Sequence, residues 1–453
     1  MAYIGSTPTT QSFISGTDYF NGTGSQTAFT LSRTVASVND IQAVVNNVVQ
    51  VPNDAYTISG TTITFTSAPS AGTQNVYVRY LSTTTQAITP SQGTVSWNTL
   101  NSDVRQDLGI NNKNRIINGN MVIDQRNAGA SITPTNGQYT VDRWIYQAYQ
   151  ASKFTVQQNA GSVTPPAGFT NYLGATSTSA YSVASGEAFW LAQKVEGYNI
   201  ADLGWGTANA KTVTLSAWVY SSLTGTFGGV VGNSAGTQSY PFTYTISSAN
   251  TWTQISVTIV GSTTGAWNTG TNGAGIVVIF SLGAGSGLSG TAGSWSASSL
   301  VSATGAVSVV GTNGATFYLT GVQLEVGTQA TTFTTAGGSY GAELALCQRY
   351  YFKSYMTNYG FNGFNENTGG SMHAWNFPVT MRAAPTLETS GTGSDYAIRI
   401  AGNLVTCNAV PTFDSASTTN GRIVSSVASG LTAGQGCILY SPTNKFLSLT
   451  AEL

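Results

Sequence analysis

Between Lys211 and Glu325 the chain carries no charged residue, and this stretch limits the possible folds more than any other feature. A long uncharged segment belongs either in a membrane or in a sheet whose polar face is solvated by hydroxyls and amides. Membrane spans need about 20 consecutive apolar residues; the longest apolar run, Ile276 to Phe280, is strand-sized. A sheet needs alternation with a period of two. Val213, Leu215, Ala217 and Val219 make one aliphatic face, leaving Thr214, Ser216, Trp218 and Tyr220 on the other. Thr253, Ile255, Val257 and Ile259 do the same against Trp252, Gln254, Ser256 and Thr258. Two sheets stacked on such faces form a β-sandwich.

Composition extends the argument to the whole chain. Charged residues are 7% of 453, against about 25% in ordinary soluble domains, yet 41% hydrophobic and 11% aromatic residues supply a core. Disorder is therefore not expected. A net charge of -1 argues against nucleic acid, which is bound through clustered Lys and Arg. The segment MAYIGSTPTT lacks the basic and apolar parts of a secretory leader, so a soluble protein made in a cytoplasm is expected, without membrane insertion. Cys347, Cys407 and Cys437 are an odd set without metal-ligand spacing and read as buried free thiols. No repeat of 20 to 50 residues supports a solenoid.

Taken in order, residues 17 to 81 alternate as an antiparallel β-domain, with strands around 29–31, 41–51, 56–65 and 75–81. A Ser/Thr/Gln/Pro-rich linker follows, then Trp97, Leu100, Val104 and Leu108 at helical spacing between Asn98 and Gly109. A helix of about three turns cannot hold itself in water. It must pack either on two copies of itself around a three-fold axis or on a neighbouring domain. Strands are expected at RIINGNMVI, VDRWIYQ, AFWLAQKVEG, KTVTLSAWVYSS, WTQISVTIV, GIVVIFSLG and FYLTGVQLEV. In the last, Phe317 and Leu319 have one phase while Val322, Leu324 and Val326 have the other, which predicts a β-bulge at Gly321. Residues 341–349 concentrate helix formers and predict a short junction helix. Beyond it, residues 354–453 read as a further β-rich unit in which FNGFNENTGG looks like a variable loop.

Two sets of residues carry a family resemblance. Asn21-Gly22-Thr23-Gly24-Ser25, Tyr56-Thr57-Ile58, Ile63-Thr64-Phe65 and Val76-Tyr77-Val78-Arg79 resemble the tail-attachment domain of podovirus tail fibres. Residues 114–121, 139–144, 191–197, 320–327 and 343–351 are similar, in order, to five blocks of a phage tail-fibre domain related to carbohydrate-binding jelly rolls. The resemblance implies an all-β chain: attachment domain 1–82, linker and short trimerising helix 83–112, jelly-roll body 113–338, junction helix 339–353 and small β-rich tip 354–453. It also implies a homotrimer that docks on tail adaptor or nozzle proteins within a virion, assembled in the host cytoplasm, and meets a host-surface glycan. Jelly-roll modules of this type commonly hold a structural calcium; here Met121-Val122 and Thr320-Gly321 stand at the nearest positions, so no metal or other cofactor is expected.

Catalysis has little to stand on. His373 is the one histidine and has no nucleophile motif around it. Glycan cleavage would need paired carboxylates, for which Asp124 with Asp142 or Glu187 with Glu196 are candidates; structural pairing of Asp124 and Asp142 with Arg126 and Arg143 is the plainer reading. No enzymatic activity is expected, with a depolymerising tailspike and a decoration or baseplate protein as the alternatives. Sugar recognition wants an aromatic platform beside amides, hydroxyls and a few charges. Two surfaces qualify: Trp190, Lys194, Glu196, Trp218 and Tyr220 on the body, if their strands adjoin, and Tyr359, Phe361, Phe364, His373 and Trp375 on the tip. Trp205, Trp267 and Trp295 stand in polar loops as either recognition residues or loop anchors.

Overall fold

A computed structural model describes residues 16–81, 113–356 and 360–453. The expected neck helix at 97–109 and Tyr359 lie outside them. The described residues fall into two compact units, one before and one after the segment 82–112.

The strands of the first unit pair antiparallel in two sheets. Strands Thr17–Gly22, Gly72–Tyr80, Ile41–Val45 and Val48–Val49 form one sheet in that order. Ala28–Thr30, Thr62–Phe65 and Tyr56–Ser59 form a second. The hairpin at Asn46-Asn47 turns with both residues at positive φ, the twist that suits a two-residue β-hairpin. Phe29, Ile41, Tyr56, Ile63, Val76 and Val78 make the core.

The second unit begins with a jelly-roll sandwich. Its five-stranded sheet runs Phe154–Gln158, Leu173–Ser177, Thr316–Val326, Val213–Ser221, Thr253–Ile259. Its six-stranded sheet runs Ser239–Ile246, Gly225–Asn233, Ala274–Ala284, Ala188–Glu196, Ile145–Ala148, Gln138–Tyr139. Val213, Leu215, Ala217 and Val219 point into the shared core with Leu191, Phe189, Phe280 and Leu324. The phase slip is a bulge: Ser216 pairs with Gln323 but Trp218 with Thr320. Gly321 takes φ 61° there, a conformation that costs glycine least. A Cβ on Gly321 would also strike the Phe169 ring.

RIINGNMVI is not a strand. Asn118 and Met121 take left-handed φ of 56° and 58°, and Asn118 closes a turn by donating Nδ2–H to the Ile123 and Asp142 carbonyls at 2.7 and 3.0 Å. Side-chain to backbone bonds of this kind replace a ladder. VDRWIYQ is extended only from Ile145, because Arg143 sits at φ 71°.

The helix Tyr340–Gln348 follows, with Ser339 Oγ accepting the Ala342 N–H at its start. The tip packs a seven-stranded sheet (Asn403–Thr406, Ala397–Ile400, Gly436–Tyr440, Phe361–Asn365, Gly370–Asn376, Asn420–Ser426, Thr412–Ala416) near a three-stranded one (Tyr351–Tyr355, Phe446–Thr450, Thr386–Thr389). FNGFNENTGG is therefore a β-hairpin, with Phe364 opposite Met372, and not an irregular loop. All three cysteines are buried and free. Among the described residues no helix is long and apolar enough to cross a membrane.

Candidate functional site

Four of the five sequence blocks that resemble a fibre domain converge where body meets tip, and the fifth, 320–327, holds the first of them through Asn114 and Gly119. Glu196 ends its strand and accepts Arg349 Nη2–H at 2.6 Å, Arg349 Nε–H at 3.0 Å and Tyr350 Oη–H at 2.5 Å. Glu343 accepts the main-chain N–H of Asn118 at 2.5 Å and of Gly337 at 2.6 Å. Arg143, 1% exposed, pairs with Glu452, donates to the Lys194 carbonyl at 2.6 Å and lies 3.5 Å from the Tyr350 ring centre. Arg126 joins Glu452 at 2.9 Å. Lys194 Nζ–H and Tyr139 Oη–H both donate to the main-chain oxygen of Leu453, at 2.7 and 2.8 Å. Arg126 Nε and Arg143 Nε are left without a hydrogen-bond partner, but the buried ion pairs and main-chain bonds that span the junction hold the tip on the body. The chemistry of the junction is structural.

Burial pushes Asp142 up to about 7, against the lowering pull of Arg126 and Gln125. Burial likewise raises Glu343 and the Cys347 thiol. Asp142 does not pair with Arg143: its oxygens take the Gln125 N–H at 3.1 Å and Gln125 Nε2–H at 2.5 Å. Asp124 instead caps a turn through the Asn127 and Gly129 N–H groups. Glu187 accepts from Gln150 at 2.7 Å and Tyr181 at 2.6 Å. It precedes the nine-residue strand that Glu196 ends, so the two stand about 30 Å apart at strand rise, too far to share a glycosidic bond.

The expected body platform does not assemble. Trp190 belongs to the six-stranded sheet and Trp218 and Tyr220 to the five-stranded one, and both sets point away from the common core, onto opposite outer faces. Tyr220 stacks on Tyr318 with centroids 5.1 Å apart, and Tyr318 on Tyr172 at 5.2 Å. Residues 159–171 cover this ladder; Trp252 Nε1–H holds the cover through the Thr164 carbonyl at 2.9 Å. Trp218 is half-covered beside Phe169. Lys194 and Glu196 are spent in the junction.

Trp190 keeps a different partner. Tyr149 is 55% exposed, and its ring centre lies 6.4 Å from that of Trp190. Gln147 pairs with Trp190 across the sheet, and Gln150 with Glu187 flanks the pair. Trp190 itself is half-buried, so the exposed Tyr149 ring beside the Trp190 face, with amides and a carboxylate at the edge, is the surface offered to a sugar ring. Tyr149 was legible: Ile145, Gln147 and Tyr149 continue the outward phase of their strand while Trp144, Tyr146 and Ala148 point in.

On the tip, Trp375 is 5% and His373 1% exposed. Trp375 is packed among Phe352, Phe361, Phe377 and Phe413. Neither presents itself to a receptor, and Phe361 is half-buried beneath them. Phe364, on the outward phase, is 50% exposed. His373 Nδ1 faces the Phe361 carbonyl at 2.9 Å and so carries the proton; Nε2 accepts from Ser371 Oγ–H at 2.9 Å. Burial holds its pKa down at about 4. Trp205, Trp267 and Trp295 meet as one cluster with centroids 4.8 to 5.6 Å apart, each indole N–H donating to a loop carbonyl. They anchor loops.

The residues at the jelly-roll calcium position do not fit that ion. Met121 lies in the core, and the Thr320 hydroxyl donates to the Asn171 carbonyl at 2.7 Å.

No protein-family model and no curated protein matches the chain. Among solved structures, it is similar to the enzymatically active domain of bacteriophage CBA120 tailspike protein 4, at 13% identity and TM-score 0.25. That match spans 47% of this chain but 21% of the tailspike chain. A CBM4 structure aligns at 12% identity and TM-score 0.25 over 46% of this chain and 98% of its own. The family 11 carbohydrate-binding module of the Clostridium thermocellum cellulase Lic26A-Cel5E aligns at 11% and 0.21 over 45% and 98%.

Proposed function

We propose that this chain is a phage tail fibre that binds a host-surface glycan through Tyr149 and Trp190. One observation carries the glycan reading: the exposed Tyr149 ring beside the half-buried Trp190 ring on the outer side of the six-stranded sheet, edged by Gln147, Gln150 and Glu187. Sugar C–H faces lie on such rings while amides and carboxylates take the hydroxyls. The fibre reading is supported by the resemblance of the N-terminal unit and of the five blocks. In this reading the first unit docks on a tail protein, the chain is a homotrimer within the virion, and it binds without cleaving. Full-length protein should bind an immobilised neutral polysaccharide from a host envelope, and Tyr149→Ala and Trp190→Ala should each weaken binding about tenfold, the scale of lost ring stacking with its polar edge. Unchanged binding in both variants contradicts the reading. Release of new reducing ends would replace binder with enzyme, and a solution mass of 47.0 kDa would exclude the trimer.

A further inference from the structure

The junction borders a cleft that its network does not fill. It has a volume of about 370 Å³ and is lined by Arg126, Asn127, Gln138, Tyr139, Glu388 and Glu452, among others. The body supplies one wall and the three-stranded sheet of the tip the other, through Thr386–Thr389 and Phe446–Thr450, so the cleft exists only with the tip docked. The volume is within the usual range for a small-molecule site.

The polar groups in it differ from those of the junction in being available. Glu388 is exposed, accepts only the Ser448 hydroxyl at 3.2 Å, and forms no ion pair among the described residues. Gln138 is exposed and reaches only Thr135 with its carbonyl oxygen, leaving its amide N–H groups free. Arg126 is committed: it pairs with Glu452 and lies between the Tyr139 and Tyr351 rings, 5.3 and 3.7 Å from their centres. Acceptors and amides are thus offered, with no free cation in the lining. Such a set suits hydroxyls and ammonium groups and repels carboxylates and phosphates.

Position adds a second, independent observation. Tyr139 pairs with Ile145, and Trp190 pairs with Gln147, two residues further along the same strand and on the same outward phase. Tyr139 at the edge of the cleft and Trp190 therefore stand on one face, two residues and two strands apart, about 12 Å, while Gln138, opposite the inward Tyr146, has the other phase. A short oligosaccharide spans that distance.

We propose that this cleft is a second sugar subsite, taking a neutral or amino-bearing unit of the glycan whose neighbouring unit lies on Tyr149 and Trp190. The proposal rests on the glycan reading above and adds to it a ligand class, an extended rather than terminal epitope, and a requirement for the docked tip.

The test uses full-length protein on an array of neutral, amino-bearing and acidic oligosaccharides of increasing length. The variants are Glu388→Ala, Gln138→Ala and Trp190→Ala, with melting curves confirming that each is folded. Neutral or amino-bearing chains should bind better as they lengthen. Glu388→Ala and Gln138→Ala should abolish that gain, with a loss of roughly tenfold on the longer chains, and leave the shortest binders unchanged. If Trp190→Ala weakens binding while the two cleft variants match the parent at every length, the subsite is wrong and the platform stands. A preference for acidic chains overturns the ligand class. No binding to any oligosaccharide overturns the subsite and the glycan reading together.

Discussion

Replacing Arg143 by Met keeps most of the stem and removes the guanidinium. That group is buried, pairs with Glu452, donates to the Lys194 carbonyl and lies over Tyr350. Breaking one side of a buried pair costs about 3–5 kcal/mol, and a desolvated cation–π contact adds about 2 kcal/mol. The methionine recovers about 1 kcal/mol of apolar burial. A net loss of about 4–6 kcal/mol follows, a large share of the about 5–15 kcal/mol that holds a typical domain. Urea unfolding should be followed by far-UV circular dichroism, which sees mostly body, and by the emission of a variant whose tryptophans are all Phe except Trp375. Both probes should move together, because Glu452 leaves the tip to bind the body. Arg422→Ala, which breaks a half-exposed pair with Asp414, is the control and should cost under about 1 kcal/mol. A loss below about 1 kcal/mol in Arg143→Met would refute the claim that this junction fixes tip to body.

Two buried groups give opposite pH slopes in one window. Asp142 is raised to about 7 by burial, so its contribution is full below its unfolded value of about 4 and lost as pH rises through 7. Asp142→Asn should flatten that loss, worth up to about 4 kcal/mol, when unfolding midpoints are compared between pH 4 and 8. His373 is lowered to about 4 by burial, so stability present above about 6.5 is lost as pH falls towards 4. His373→Gln should unmask the acid stabilisation from Asp142, and an unchanged pH profile in both variants would count against these environments. Glu343→Ala removes the acceptor of two main-chain N–H groups and should lower stability by about 2–3 kcal/mol while glycan affinity per folded molecule stays the same; loss of binding in a folded variant would make Glu343 a site residue.

Much of the body could be read from period alone. The faces of residues 213–219 and 253–259, the bulge at Gly321 and the helix after Ser339 all depend on local pattern. Gly225–Asn233 and Ser239–Ile246 are not legible from period, since GTFGGVVGN has too few side chains to show a phase. Its glycines are packing devices: a Cβ on Gly229 would strike the Phe242 ring and the Ile279 carbonyl. RIINGNMVI misled because its apolar residues alternate while Asn118 and Met121 carry left-handed backbone. The expected joint platform of Trp190 with Trp218 and Tyr220 failed on sheet membership. Trp190 and Trp218 are each outward on their own strand, but a strand does not announce which of two sheets it joins. Trp375 and His373 failed because a hairpin read as a loop makes inward residues look exposed, whereas Tyr149 follows the alternation just beyond the end of its block.

The most direct test of the account is saturation-transfer difference NMR on full-length protein with a neutral oligosaccharide that it binds. A sugar lying on Tyr149 and Trp190 should show transfer to ring protons on one face in the parent, and lose that transfer in both Tyr149→Ala and Trp190→Ala with folding intact. Undiminished transfer in the two folded variants would place the sugar elsewhere and contradict it.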